Sequence, residues 1–403
     1  MHVLIADKFE TRAMDELKQS GCQIMYEPKL EGDSLRETVL KTRCAVLVVR
    51  STKVSEAILE AGPELGLVVR AGAGFNTIDV DAASRRSIFV SNCPGKNAVA
   101  VAELTFALIL ALDRRIVENS NDLRAGRWNK QEYSKARGLK GRTLGIVGLG
   151  QIGRAVAVRA QAFDMNVVAW SRSLTVETAG ALGVTRCDTP SEVAGRCDIL
   201  SIHLAAGPET KSLINAEVLN RLAPGSYVIN TSRAEVLDYA ALLQVMEQKK
   251  LRVGLDVFPD EPAGGHATFT PAILQSGGVT YGTHHIGAST DQAQDAIAAE
   301  TVRIVRTYRE TGQVLNCVNV RAHARAQSCL RVRHLNRPGV LAYVLNEISH
   351  AGINVEEMQN VICQGDASAC AQILLEQPLP SHVIPKIRSG NSNILGVTQT
   401  LHT

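Results

Sequence analysis

Three short segments hold the side chains best suited to chemistry. They are Asn230-Thr231-Ser232-Arg233, the run from Gly254 through Asp256 to Glu261-Pro262, and His284-His285-Ile286-Gly287-Ala288-Ser289. Each follows a short apolar run of the kind that forms a buried strand. A histidine has the side-chain pKa nearest neutrality and suits a proton acceptor. A carboxylate bonded to it would orient the ring and stabilise its protonated form, the part assigned to Glu261. A guanidinium can grip a substrate carboxylate with two donors and polarise a neighbouring oxygen, the part assigned to Arg233. Together these groups meet the demands of removing a hydride from a carbon that carries a hydroxyl beside a carboxylate. Taken singly they are plain: an arginine at a strand end is often a surface ion pair, and an acid before proline often caps a turn. Paired histidines can be buried polar filler. Their occurrence at three successive strand ends is what gives them weight.

A second signal is Gly148-Leu149-Gly150-Gln151-Ile152-Gly153, placed between an apolar strand at 143–147 and a helical stretch. The first glycine permits a tight turn, the second lets backbone approach a pyrophosphate, and the third allows the helix to pack closely. The helix start then offers free N–H groups to phosphates. In that setting the pattern predicts dinucleotide binding. The next strand should end in an acid that holds the ribose 2′-hydroxyl, about 20 residues on. It ends instead in Trp170-Ser171-Arg172-Ser173. Arg172 between two hydroxyls suits a 2′-phosphate and leans the expectation toward NADP. The alternative is an NAD site in which Arg172 stacks on the adenine. The cofactor contacts expected are Gly148, Gly150, Gln151, Ile152 and Gly153 at the turn, then Ser171 and Arg172. At later strand ends they are His203, Ala205, Thr231, Asp256, His285 and Ala288, with Asp256 near the nicotinamide edge. No metal site is expected.

These residues need a scaffold that brings strand ends together. Apolar runs at 3–6, 44–49, 67–69 and 88–90 read as strands buried on both faces. Six more follow at 143–147, 167–170, 198–203, 226–230, 253–257 and 279–281. They alternate with helical stretches, including long ones at about 98–115 and 291–309, which is the pattern of βαβ units and parallel sheets. The polar stretch at 118–140 carries the isolated Trp128, either a surface anchor or a subunit contact. The expected organisation is a substrate-binding domain at 1–97 and 287–318, a dinucleotide-binding domain at 98–286, and a basic, polar linker near 319–327. The last segment, 327–403, reads as strands at 328–335, 353–362, 369–376 and 394–401 with a helix at 338–350 and a shorter one between the last two strands. That is a ferredoxin-like βαββαβ unit. The fold class is therefore α/β, with two doubly wound domains and a small C-terminal module.

The strand-end residues resemble the D-isomer-specific 2-hydroxyacid dehydrogenase family over about the first 315 residues. The resemblance implies a catalytic set of Arg233, Glu261 and His285, the histidine chosen because it opens the His-Ile-Gly-Ala-Ser motif. His284 stands where that family usually has proline. It implies too that Arg50 and Ser51, with Ala73 and Gly74 in the following glycine-rich loop, line the substrate pocket beside Arg233. Arg50 resembles a residue that contacts phosphate in members acting on phosphoglycerate, though by itself it is equally a solvated charge. The tail, with Arg333 to Leu341 and Gly352-Ile353-Asn354-Val355, is similar to an ACT regulatory domain. His334, Asn336 and Asn354 match positions that bind L-serine in serine-sensitive members, and the alternative is a purely structural or dimer-forming module. The implied activity is oxidation of D-3-phosphoglycerate to 3-phosphohydroxypyruvate with NAD(P)+, the hydride going to nicotinamide and the proton to His285. Alternatives are an NADPH-dependent glyoxylate or hydroxypyruvate reductase and a non-catalytic, corepressor-like dinucleotide sensor. Pairing of the tails implies a homo-oligomer, dimer or tetramer, with Trp128 a second candidate contact.

Bulk properties agree with such an enzyme. The chain has 403 residues, 45% hydrophobic and 21% charged, enough for two or three domains. A net charge of +3 gives no reason to expect nucleic acid or an anionic membrane as partner. The longest apolar stretch, 104–112, is far below the ~20 residues that span a bilayer. The apolar start at 3–6 is too short for a signal peptide. Nine cysteines without CxxC spacing point to reduced thiols and a cytoplasmic location.

Overall fold

The apolar runs form strands whose residues alternate between two cores. In the first sheet Val3, Ile5, Val46, Val48, Leu67 and Val69 face one side, where they meet helix Thr11–Gln19 and helix Asp291–Thr311. Leu4, Leu47, Val49, Val68 and Val90 face the other, against helices Gly32–Thr42, Glu56–Glu60 and Val80–Arg85. Burial on both faces explains why these strands are apolar throughout. Each fully buried aliphatic side chain contributes about 1.5–3 kcal/mol.

The computed structural model describes residues 1–262, 266–321 and 325–402. It divides into two compact units, Met1–Asn319 and Val320–Thr403. In the first unit, β1 (His2–Ile5), β2 (Gln23–Tyr26), β3 (Val46–Val49), β4 (Leu67–Arg70) and β5 (Phe89–Ser91) make a parallel sheet of order β2-β1-β3-β4-β5. The second sheet contains β6 (Thr143–Val147), β7 (Asn166–Trp170), β8 (Thr185–Arg186), β9 (Ile199–Ile202), β10 (Tyr227–Asn230), β11 (Arg252–Leu255) and β12 (Thr280–Gly282). Its order is β12-β11-β10-β9-β6-β7-β8, again parallel throughout. The order reverses at β6, and such a reversal opens a crevice at the carboxyl ends of the strands. Helices Ala98–Arg114 and Gln151–Ala162 cover one face of this sheet, and Pro190–Arg196, Ala216–Asn220 and Tyr239–Lys249 cover the other.

Two strands exceed those expected. β2 is largely exposed and polar at its ends, so it lacks the buried apolar signature. β8 is only two residues long, both exposed. The stretch expected to be merely polar at 118–140 contains helices Ile116–Arg124 and Lys130–Tyr133.

In the second unit β13 (Ser328–Leu335), β14 (Val355–Ile362), β15 (Ser368–Leu375) and β16 (Ile394–Leu401) form an antiparallel sheet of order β14-β15-β13-β16. Helices Val340–His350 and Val383–Ser389 cover one face over a core that includes Leu330, Val332, Val344, Ile348, Ile373 and Ile387. This is the βαββαβ arrangement read from the sequence. Residues 322–324 of the expected linker, and residue 403, lie outside the described residues.

Candidate functional site

The turn after β6 shows what each glycine does. Gly148 has φ +100, and a Cβ there would lie 2.3 Å from the carbonyl oxygen of His203. A Cβ on Gly153 would lie 2.2 Å from the Gly148 carbonyl oxygen, so the helix start and the turn touch. Gly150 differs: its missing Cβ faces open space. That opening, at the N-terminus of helix Gln151–Ala162, is where a pyrophosphate can meet backbone N–H groups. The residues therefore fit a dinucleotide. Gln151 lies across Gly95, whose Cβ would collide with its amide.

A cleft of about 410 Å³ runs beside this turn. Of the residues expected at the site, it is lined by Ala73, Gly74, Gly150, Gln151, Ile152, His203, Ala205, Thr231, Arg233, Asp256, His285 and Ala288. Gly148 and Gly153 shape the turn from behind. Glu261 stands at the edge, lining two adjoining hollows that also reach His285. Arg50 and Ser51 are not in the cleft lining, and Ser171 and Arg172 sit outside it on the loop after β7.

His285 Nδ1 and Glu261 Oε2 are 2.7 Å apart, and Glu261 Oε1 accepts the Phe258 N–H at 2.7 Å. Partial burial by itself would raise the Glu261 pKa. The bonds to His285 and Phe258, with the positive field of Arg233, outweigh it and hold the carboxyl below its ordinary range. Nδ1 is thereby occupied, which leaves Nε2 to take up a proton. The His285 backbone has φ +54, an unusual conformation for a side chain of this size.

What holds that loop is Asp256, which is buried. Its Oδ1 accepts from Thr283 Oγ1 at 2.6 Å and Ile286 N at 2.9 Å, and its Oδ2 accepts from Gly287 N at 2.8 Å. Both oxygens are engaged with the loop, so Asp256 anchors the histidine segment as well as lining the cleft. Asn230 does the same for Arg233: its amide donates to the Arg233 carbonyl at 2.9 Å and its oxygen accepts from Ser232 N and Oγ. Thr231 bonds Thr105 on helix Ala98–Arg114 at 2.9 Å.

Across the cleft, the Arg233 guanidinium lies against Gly74, where a Cβ would come within 2.2 Å of Nη2. The loop holding Gly74 is pinned by Asn92 Nδ2, which donates to the Ala73 carbonyl at 2.6 Å. Arg70, at the end of β4, folds over Gly72 and lines the cleft. Its Nε is buried without a partner among the described residues. Burial, and then the nearby charges of Arg233 and Arg50, push its pKa down to about 10. Two positive neighbours and a buried, unpartnered Nε on a partly buried guanidinium make this corner suited to a negatively charged guest. Asp7 organises the neighbouring loop by accepting N–H bonds from Arg50 (2.6 Å), Ser51 (3.1 Å) and Thr52 (3.0 Å). Sequence reasoning placed Arg70 at the head of a substrate-side loop without giving it a role of its own, and it missed Asp7. Arg70 carried the same signal as Arg50, a charge closing a buried apolar strand.

His203 is buried, and burial pushes its pKa down to about 3. Its Nε2 shares a 2.8 Å hydrogen bond with Ser201 Oγ, while Nδ1 is buried without a partner among the described residues. It is a neutral polar group beside the cofactor turn.

In the second unit the three expected effector residues are not joined to one another by any hydrogen bond among the described residues. His334 is buried, with Nδ1 2.8 Å from the Leu335 carbonyl and Nε2 3.2 Å from Asn360 Oδ1. Asn336 Nδ2 donates to the Asp366 carbonyl at 3.1 Å. Asn354 is exposed just before β14. The His334 ring is thus held by its own unit, which its position at a strand end did not foretell.

Residues 106–285 match the family model of the D-isomer specific 2-hydroxyacid dehydrogenase, NAD binding domain. The chain is 37% identical over 320 residues to the D-3-phosphoglycerate dehydrogenase of Mycobacterium leprae, covering 79% of this chain and 58% of that protein. It thus spans less than two thirds of that relative's length. Among solved structures, the NAD+-bound 3-phosphoglycerate dehydrogenase of Entamoeba histolytica matches with a TM-score of 0.66 and 25% identity, over 79% of this chain and 99% of that one. A glyoxylate reductase from Paecilomyes thermophila matches with a TM-score of 0.70 and 26% identity, over 79% and 98%.

Proposed function

We propose that the chain, as a member of the D-isomer specific 2-hydroxyacid dehydrogenase family, oxidises D-3-phosphoglycerate to 3-phosphohydroxypyruvate with a nicotinamide dinucleotide. The observation that carries the reading is one cleft bordered by the His285–Glu261 pair, Arg233 and Arg70, whose Nε has no partner among the described residues. Arg233 holds the substrate carboxylate and polarises the C2 oxygen. His285 Nε2 takes the hydroxyl proton as the C2–H bond breaks, and the ionised Glu261 stabilises the imidazolium. The half-exposed His285 ring then passes that proton to water. The cofactor, when bound, accepts the hydride. Arg70 and Arg50 supply positive charge for the phosphate.

The residues supporting this reading divide in three: Arg233, Glu261 and His285 act on the substrate, Ala73 and Gly74 border it with Arg50 and Ser51 on the neighbouring loop outside the cleft lining, and the turn from Gly148 to Gly153 holds the cofactor. Arg172 alone would select NADP. Its guanidinium already meets the Glu209 carboxylate, so the balance between NAD and NADP turns on that pair. A glyoxylate or hydroxypyruvate reductase is the second reading, favoured by the likeness to the Paecilomyes enzyme.

For the tail we propose a ligand-sensing role, with L-serine as the effector to test; the βαββαβ architecture supports it. A homo-oligomer is proposed as well. Helix Ile116–Arg124 buries none of its residues, and Ile116, Val117, Leu123 and Trp128 are exposed nearby. Among the described residues no helix is long and apolar enough to cross a membrane.

The deciding experiment follows reduced-nicotinamide absorbance with 3-phosphoglycerate and each coenzyme, with and without L-serine. Turnover supports the assignment, and suppression by serine supports the sensor. Turnover only with glyoxylate or hydroxypyruvate replaces it with the second reading. Failure with every 2-hydroxy or 2-keto acid removes the enzyme reading.

A further inference from the structure

We propose that Glu209 supplies the carboxylate that the end of β7 lacks and, by occupying Arg172, tilts the cofactor site toward NAD and away from NADP. The inference rests on the reading that this unit binds a nicotinamide dinucleotide. β7 ends Trp170-Ser171-Arg172, with no acid where a ribose 2′-hydroxyl would be held. The order β9-β6-β7 places the loops after β7 and β9 on either side of the cofactor turn after β6. Arg172 Nη1 donates to Glu209 Oε2, so the two loops meet.

The Glu209 loop is shaped to present it. Thr210 Oγ1 donates to the Ala205 carbonyl at 2.6 Å, and the N–H groups of Thr210 and Lys211 both donate to the Gly207 carbonyl at 3.1 Å. Ala205 and His203, at the root of that loop, line the cleft. An acid from the β9 loop therefore occupies the neighbourhood where this fold ordinarily uses one from the β7 loop.

The charges decide the preference. A ribose diol can donate to Glu209 while Arg172 keeps its partner. A 2′-phosphate carries about −1.5 to −2 charges and would draw on Arg172 while facing the Glu209 carboxylate. Both side chains are over 70% exposed, so their mutual attraction alone adds little stability. Replacing either one leaves the core untouched, which makes the pair a clean target.

The test measures NADH and NADPH dissociation constants of the full chain by nucleotide fluorescence titration, which needs no substrate. Glu209→Gln should shift the affinity ratio toward NADPH at least fivefold. Arg172→Ala should weaken NADPH more than NADH. Glu177→Gln, at an exposed acid just beyond the β7 loop, controls for general surface charge and should leave the ratio unchanged. A shift below fivefold in Glu209→Gln, or an equal shift in the control, overturns the proposal while leaving dinucleotide binding intact. If the unsubstituted chain binds neither nucleotide, the reading beneath the proposal falls with it.

Discussion

Glu261 and His285 form a pair in which neither is left to rotate: the carboxylate holds the ring at 2.7 Å with one oxygen and the Phe258 N–H with the other. The pair is thus fixed before any substrate arrives, as proton transfer requires. His285→Asn should lower kcat by about three orders of magnitude and leave coenzyme affinity within a few-fold, since it removes the acceptor and not the cofactor turn. Asparagine also tolerates the left-handed backbone that this position imposes. Steady-state rates beside nucleotide titration check it, and an unchanged kcat would overturn the role.

Arg70, whose Nε has no partner among the described residues, makes a prediction about substrate charge. Arg70→Ala should raise KM for 3-phosphoglycerate by roughly tenfold or more, the scale of a lost charge-assisted contact. KM for an unphosphorylated 2-hydroxy acid should change little. Equal effects on both substrates would place Arg70 elsewhere in the reaction.

Two glycines in one turn should fail differently. Gly153→Ala puts a methyl 2.2 Å from the Gly148 carbonyl oxygen, so thermal unfolding should come at lower temperature. Gly150→Val has room in the uncomplexed fold. It should unfold close to the parent and lose coenzyme affinity by tenfold or more, because the side chain fills the approach used by the pyrophosphate. Parallel melting curves and titrations separate the two.

His203 predicts a pH dependence of stability. Its folded-state pKa, about 3, lies below the ordinary value of 6.5. The unfolded chain therefore binds a proton that the folded chain refuses, and stability falls as pH drops from 6.5 toward 3. Each such proton steepens the fall by about 1.4 kcal/mol per pH unit. Glu300, held down to about 2 first by its bond to Arg303 and then by Asn316 and Lys96 against its burial, loses its contribution only below about 4.5. Between pH 6.5 and 5 the His203 effect should dominate these two. Urea unfolding of His203→Asn across that interval should show a shallower slope than the parent; identical slopes would remove His203 as its source.

The sequence was most legible where one residue reports two facts. Arg233, Glu261 and His285 each carry reactive chemistry and each follow an apolar strand, so pattern and spacing point to the same place. Gly148, Gly150 and Gly153 likewise sit between a strand and a helix. Asp7 gave no such signal, because its partners are backbone N–H groups 43 to 45 positions away. Glu209 was hidden for the same reason, since the carboxylate sought beside Arg172 comes from a loop 37 positions distant. β2 was illegible on different grounds: an exposed edge strand need not be apolar. His334 looked like a ligand-binding group, and only the fold reveals Asn360 satisfying its ring.

Helix Asp291–Thr311 closes one core of the first sheet, where Ile297, Val302, Ile304 and Val305 join Val3, Ile5, Val46 and Val48. β5 ends at Ser91, and Ser91 itself bridges to Cys317. During synthesis, then, the part of that face not covered by helix Thr11–Gln19 must wait for roughly 200 further residues, about 10–40 s at ribosomal speeds of ~5–20 residues per second. The second sheet can fold in that interval, while the first holds an uncovered surface that chaperones would recognise. The half made first is then the last to be completed: the cofactor half can come to rest before the half that begins at Met1.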